Sequence, residues 1–146
     1  MTRAYVALGS NLGDREASIR RAAELIGALR LSLIRETEPW GYADQPLFLN
    51  AVAELETELP PHALLDRLLA VERELGRTRE GPRYGPRVID LDLVLYGDEE
   101  LDEPGLTVPH PRLHERRFVL EPLAELAPEA IVPGRGEVQH LLAGLD

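Results

Sequence analysis

Two stretches of helical periodicity, each held between segments of strand character, limit what this chain can become. Arg15 to Leu29 places Ile19, Ala22, Ala23, Ile26 and Leu29 at helical spacing, with Asp14 as its N-cap. Pro61 to Leu75 repeats the pattern with Leu64, Leu65, Leu68, Leu69, Val71 and Leu75, and Gly76 is a natural residue to close it. A short apolar strand, Arg3 to Leu8, precedes the first helix. A second strand, Leu31 to Thr37, follows it and is stopped by Glu38-Pro39. Leu47 to Glu58 alternates cleanly, with Leu47, Leu49, Ala51, Ala53 and Leu55 against Phe48, Asn50, Val52, Glu54 and Glu56, and Val88 to Tyr96 makes a fourth strand. The order is βαββαβ. It predicts an α+β, ferredoxin-like antiparallel sheet with the helices on one face. Right-handed crossovers give the expected spatial strand order 4-1-3-2.

The last third of the chain reads as a helical extension. Gly97 to Pro104 is an acidic turn region, Leu106 to Pro111 is extended, and Leu113 to Leu126 is helical after an irregular start, with Pro122 expected to kink or split it. Glu137 to Leu145 makes a short final helix. This extension has only the open sheet face and the sheet edges to pack against, where it would supply the second wall of a cleft. At 146 residues, 44% of them hydrophobic, the chain is read as a single domain, 1–146.

The expected topology gathers distant segments. The ends of the first two strands and the beginnings of the last two fall at one end of the sheet, which brings together Gly9 to Asp14, Thr37 to Pro46, Phe48 with Asn50, and Gly76 to Arg87. Asp90 and Asp92 join them. Residues two apart in a strand share a face, so these two carboxylates stand side by side, with Ile89, Leu91, Leu93 and Leu95 on the opposite, buried face. Paired carboxylates beside guanidinium groups suit a divalent cation and phosphate oxygens. A solvated edge strand is the competing interpretation of the same alternation.

Other residues could carry chemistry in this cleft. Arg77, Arg79, Arg83 and Arg87 lie in one glycine- and proline-rich loop, and the planar guanidinium grips phosphate bidentately. His110 is framed by Pro109 and Pro111, with Arg116 and Arg117 following. Trp40, Tyr42, Phe48 and Phe118 are most of the chain's few aromatics. Two such rings could sandwich a flat heterocycle with Asn50 on its edge, although aromatics also fill cores. Glu72, late in the second helix, is placed to pair with an arginine or to contact a nucleotide.

Composition removes other classes. A net charge of −10 argues against nucleic acid or an anionic membrane as the main partner. There is no cysteine, hence no disulfide framework, thiol nucleophile or thiolate zinc site, and no lysine, hence no Schiff base. No apolar run approaches the roughly 18 residues of a membrane span. The expected setting is the cytoplasm.

Four motifs carry a resemblance across nearly the whole chain: ALGSNLGD at Ala7 to Asp14, DQPLFLNAV at Asp44 to Val52, RYGPRVIDLDLVLYG at Arg83 to Gly97, and LTVPHPRLHERRFVLEPL at Leu106 to Leu123. Together they resemble the 6-hydroxymethyl-7,8-dihydropterin pyrophosphokinase family of folate biosynthesis. The resemblance implies transfer of pyrophosphate from ATP to the pterin hydroxymethyl group, with release of AMP. It implies Asp90 and Asp92 as ligands of two Mg2+ ions, and Arg77 and Arg87 as catalytic arginines on the phosphates. Glu72, Arg79, Tyr84, Leu93, Thr107, His110 and Arg116 match ATP-site positions. Gly9, Thr37, Trp40, Phe48, Asn50 and Phe118 match the pterin pocket. Its implied partners are ATP and the hydroxymethyl-dihydropterin, and a monomer is expected. Tyr84 stands where Trp is common, while Glu38, Leu69, Glu80, Gly105 and Pro111 also depart from the familiar pattern. A non-catalytic ferredoxin-like module that binds RNA or a small regulator, and a metal-dependent phosphohydrolase, are the competing functions.

Overall fold

The computed structural model of the chain describes residues 1–37, 47–76 and 88–145. Strand β1 (Thr2–Ser10) leads into helix α1 (Arg15–Ile26). The Asp14 carboxylate accepts a hydrogen bond from the Ala17 amide at 3.1 Å and so caps the helix, and Gly27, at φ 77°, ends it in the left-handed conformation that favours glycine. The edge strand is β2 (Arg30–Leu31) and β3 (Arg35–Thr37), and β4 (Phe48–Thr57) follows. Helix α2 (Pro61–Glu74) starts on a proline, where a missing N–H costs nothing, and it is followed by Gly76 at φ 94°. β5 (Asp90–Tyr96) completes the sheet.

The strand order is β2-β4-β1-β5 with β3 also on β4, and every neighbouring pair is antiparallel. This is the arrangement expected from the βαββαβ pattern. The second strand is interrupted, however. Leu31 faces Ala53 while Arg35 faces Asn50, so three edge residues oppose two on β4. This is a β-bulge. Ser32 is the first of the three: its amide donates to the Val52 carbonyl, and its hydroxyl accepts from the Val52 amide, each at 2.9 Å.

Both sheet faces are covered. Ala4, Val6, Leu8, Ala51, Ala53, Leu55, Leu91 and Leu93 pack under α1 and α2 with Ile19, Ala22, Leu64, Leu68 and Val71. The C-terminal extension covers the other face. It contains the hairpin β6 (Leu101–Glu103) and β7 (Leu106–Val108), a 3-10 turn at Leu113–Glu115, α3 (Arg117–Leu126), the hairpin β8 (Ile131–Val132) and β9 (Gly136–Glu137), and α4 (Val138–Ala143). Tyr5, Val52, Val94 and Leu95 form a second core there with Leu113, Val119, Leu120, Leu123, Val132 and Val138.

Three expectations need correction. Leu95 does not share a face with Ile89, Leu91 and Leu93. A register shift opposite Tyr5 and Val6 inserts Val94 as an extra residue in β5, so Leu95 turns into the second core. Pro122 does not split its helix: α3 runs through it, and the break falls at Arg116, an extended residue between the 3-10 turn and α3. The acidic stretch after β5 is not only turn, because Leu101–Glu103 pairs with Leu106–Val108.

Candidate active site

Strand pairing lays four residues in one row across the sheet. Arg35 faces Asn50, Asn50 faces Gly9, and Gly9 faces Asp90. Directly opposed residues project to the same side, and strands stand about 4.8 Å apart, so the row spans three such steps on the face that α3 covers. The neighbouring row runs Val52, Ala7, Asp92. Asp90 and Asp92 are both half-buried on this face.

Gly9 is where it is for steric reasons. A Cβ there would lie 2.9 Å from Asn50 Oδ1 and 3.5 Å from the Phe48 ring. The glycine thus leaves room for Phe48 and Asn50 to occupy the middle of the sheet. The Asn50 side-chain amide donates to the Thr37 hydroxyl across β3 and β4. Gly9, Thr37, Phe48 and Asn50, separated by up to 41 positions of sequence, therefore form one polar and aromatic floor.

The opposite wall comes from the C-terminal extension. The Arg116 guanidinium lies 5.6 Å from the centroid of the Phe118 ring, within cation–π range. His110 is anchored along β5 by its amide, which donates to the Val94 carbonyl at 3.0 Å. Burial, reinforced by Arg116 and then Arg112, holds its imidazole well below the usual range, at about 4. Nδ1 accepts from the Arg112 amide at 3.2 Å. The neutral ring then carries its proton on Nε2, as a donor.

Two predicted site residues have their side chains inside the protein. Glu72 is 2% exposed, and its carboxylate accepts from the Leu91 amide at 2.7 Å, between the two aspartates. Leu93 packs in the core beneath α1 and α2. Thr107 is exposed on the β6–β7 hairpin, 3.4 Å from Asp102. Trp40, Arg77, Arg79, Tyr84 and Arg87 lie outside the described residues, as do Tyr42 and Arg83.

Among the described residues no three His, Cys, Asp or Glu side chains cluster as a metal cage. Two carboxylates on one strand fit Mg2+, which is held by one or two carboxylates with water and substrate phosphates completing the octahedron.

Sequence reasoning missed the polar residues that brace the floor. Arg15 donates to the Leu47 carbonyl at 2.8 Å and to Glu36 at 3.1 Å, fastening the entry of β4 to the start of α1. Arg35 reaches Glu125 on α3 at 2.6 Å. Only the position of Arg35, two residues before Thr37, hinted at this.

The sheet, its two covered faces and this polar row define an α+β enzyme domain of the ferredoxin-like kind. The chain belongs to the family described as 7,8-dihydro-6-hydroxymethylpterin-pyrophosphokinase, whose model matches residues 5–128, and so is a transferase of folate biosynthesis. A 2-amino-4-hydroxy-6-hydroxymethyldihydropteridine pyrophosphokinase of Methylorubrum extorquens is 45% identical, covering 100% of this chain and 95% of the relative. The enzyme of the same name from Bacillus subtilis is 50% identical over 84% of this chain and 77% of its own. Among solved structures, an HPPK-DHPS in complex with substrates superposes with a TM-score of 0.78 at 12% identity. That match covers 97% of this chain but only 43% of the solved one, and it speaks for the fold alone.

Proposed function

We propose that this chain transfers pyrophosphate from ATP to the hydroxymethyl group of 6-hydroxymethyl-7,8-dihydropterin. The hydroxymethyl oxygen forms a bond to the β-phosphorus and loses its proton. The bond from that phosphorus to the oxygen bridging it to the α-phosphorus breaks, and AMP leaves. The observation that carries this reading is the cross-sheet row. It sets an amide suited to a heterocycle edge, Asn50, one glycine away from a carboxylate suited to a metal–phosphate group, Asp90.

In this reading Phe48 and Phe118 stack on the pterin, Asn50 hydrogen-bonds its edge beside Gly9, and Thr37 and the Trp40 backbone region line the pocket. Asp90 and Asp92 hold two Mg2+ ions. When bound, these neutralise the phosphate charge that grows during transfer. Arg77 and Arg87 grip the phosphates. Arg79, Tyr84, Thr107, His110 and Arg116 line the nucleotide side, with His110 offering an Nε2 proton to an acceptor. Glu72 and Leu93 act through the strand, by holding the backbone that presents the aspartates, because their side chains are buried.

We read residues 1–146 as one domain, supported by two cores that share a single sheet. A monomer in the cytoplasm is supported by the charge of −10, which keeps copies apart, and by the absence of cysteine. No helix among the described residues is long and apolar enough to cross a membrane.

The test is AMP production with and without the hydroxymethyl-pterin. AMP should appear only when both ATP and the pterin are present. ATP breakdown that ignores the pterin would replace this reading with that of a phosphohydrolase.

A further inference from the structure

We infer that Arg35 is a positioning residue for the heterocycle cleft, setting the distance between its floor and its Phe118 wall. The inference rests on the proposed pterin site. Phe118, Glu121 and Glu125 recur at i, i+3 and i+7, and so share one face of α3. Arg35 stands in the floor, directly across from Asn50 and two residues before Thr37. Its guanidinium leaves the sheet for that face of α3, with Nη2 at 2.6 Å from Glu125 and Nε at 3.4 Å from Glu121.

The second oxygen of Glu125 continues the link. It accepts the Leu33 amide at 3.0 Å, a backbone donor that the bulge in the edge strand turns away from β4. One carboxylate thus reads both the bulge and the floor arginine. Arg35 and Glu125 are about 30% exposed, at 28% and 31%, so a lone pair of this kind would add little to stability. What the arrangement fixes is geometry: the helix bearing Phe118 is tied to the strand that carries Thr37. A cleft that must hold a flat ring between two walls depends on that spacing, since small misplacements of bound groups are costly.

The test is steady-state kinetics on the full chain carrying Arg35→Met and Arg35→Lys. Arg3→Met, which removes contacts to Glu54 and Glu56 at the opposite end of β1 from Gly9, serves as a control for the loss of an ion pair outside the floor. Arg35→Met should raise the pterin KM about tenfold while kcat and the ATP KM stay within about twofold, the pattern of lost ground-state positioning. Arg35→Lys should recover most of the loss, and Arg3→Met should leave the pterin KM unchanged. An unchanged pterin KM in Arg35→Met, or equal losses in all three parameters matching the control, would overturn the inference while leaving the pterin site in place. A wild-type chain that does not consume the pterin would remove both.

Discussion

The buried carboxylate of Glu72, on α2, accepts the amide of Leu91 at 2.7 Å, and Leu91 lies between the two aspartates of β5. A helix on one sheet face thus holds the backbone that presents Asp90 and Asp92 on the other. Glu72→Ala should therefore act twice. It should cost about 2–3 kcal/mol in urea unfolding, because a buried amide loses a charged acceptor. It should also lower AMP production. Glu72→Gln, which keeps an acceptor oxygen, should recover most of the stability.

Asp92→Ala should abolish turnover, by about a hundredfold or more, with the circular dichroism spectrum unchanged. The side chain lies on the cleft face, and neither core includes it. Near-normal AMP release by this variant would refute the metal assignment.

Gly9→Ala adds a methyl group that would meet Asn50 Oδ1 at 2.9 Å. Asn50 must then shift and strain its bond to Thr37. The expected result is a stability loss of about 1–3 kcal/mol, typical of overpacking, together with a raised pterin KM. A rise in the ATP KM alone would place the glycine in the wrong half of the site.

His110, at about 4, is neutral through the physiological range. Its C–H resonances in the free protein should shift with a midpoint near that value. The sign follows from a depressed histidine pKa: its stabilising contribution is complete above the ordinary 6.5 and is lost as pH falls toward 4. A midpoint for His110 at or above its ordinary value would contradict the burial described.

Glu54 should govern a lower window. Arg30 grips its carboxylate at 2.8 and 2.9 Å, Tyr5 donates at 2.9 Å, and these bonds hold it down at about 2 despite near-complete burial. Its contribution is complete above 4.5 and disappears as pH falls toward 2. Thermal denaturation of wild type and Glu54→Gln should show the melting temperatures converging across that interval. A constant gap would assign the difference to packing.

Much of the fold was legible because hydrophobic period reports burial directly. Alternation along β4 and helical spacing in α1 and α2 are the sequence image of one apolar face each, and topology then aligned Asn50, Gly9 and Asp90. The bulges were not legible. Val94 is apolar like its neighbours, so nothing in its identity announces that β5 changes face there. Pro122 misled because packing outweighs its missing backbone bond: it is the sixth of ten residues in α3 and is buried there with Val119, Leu120 and Leu123. Arg35 and Glu125 are 90 positions apart, and no local pattern joins them.

The two bulges also bear on how copies of this chain treat one another. At one rim of the sheet the Leu33 amide is already taken by Glu125, and the strand carries a break in register. At the other rim the Val94 carbonyl is taken by the His110 amide. An intruding strand needs a flat, continuous run of open donors and acceptors to dock. Neither rim presents one at these positions, so the same irregularities that shape the cleft make the sheet a poor template for aggregation.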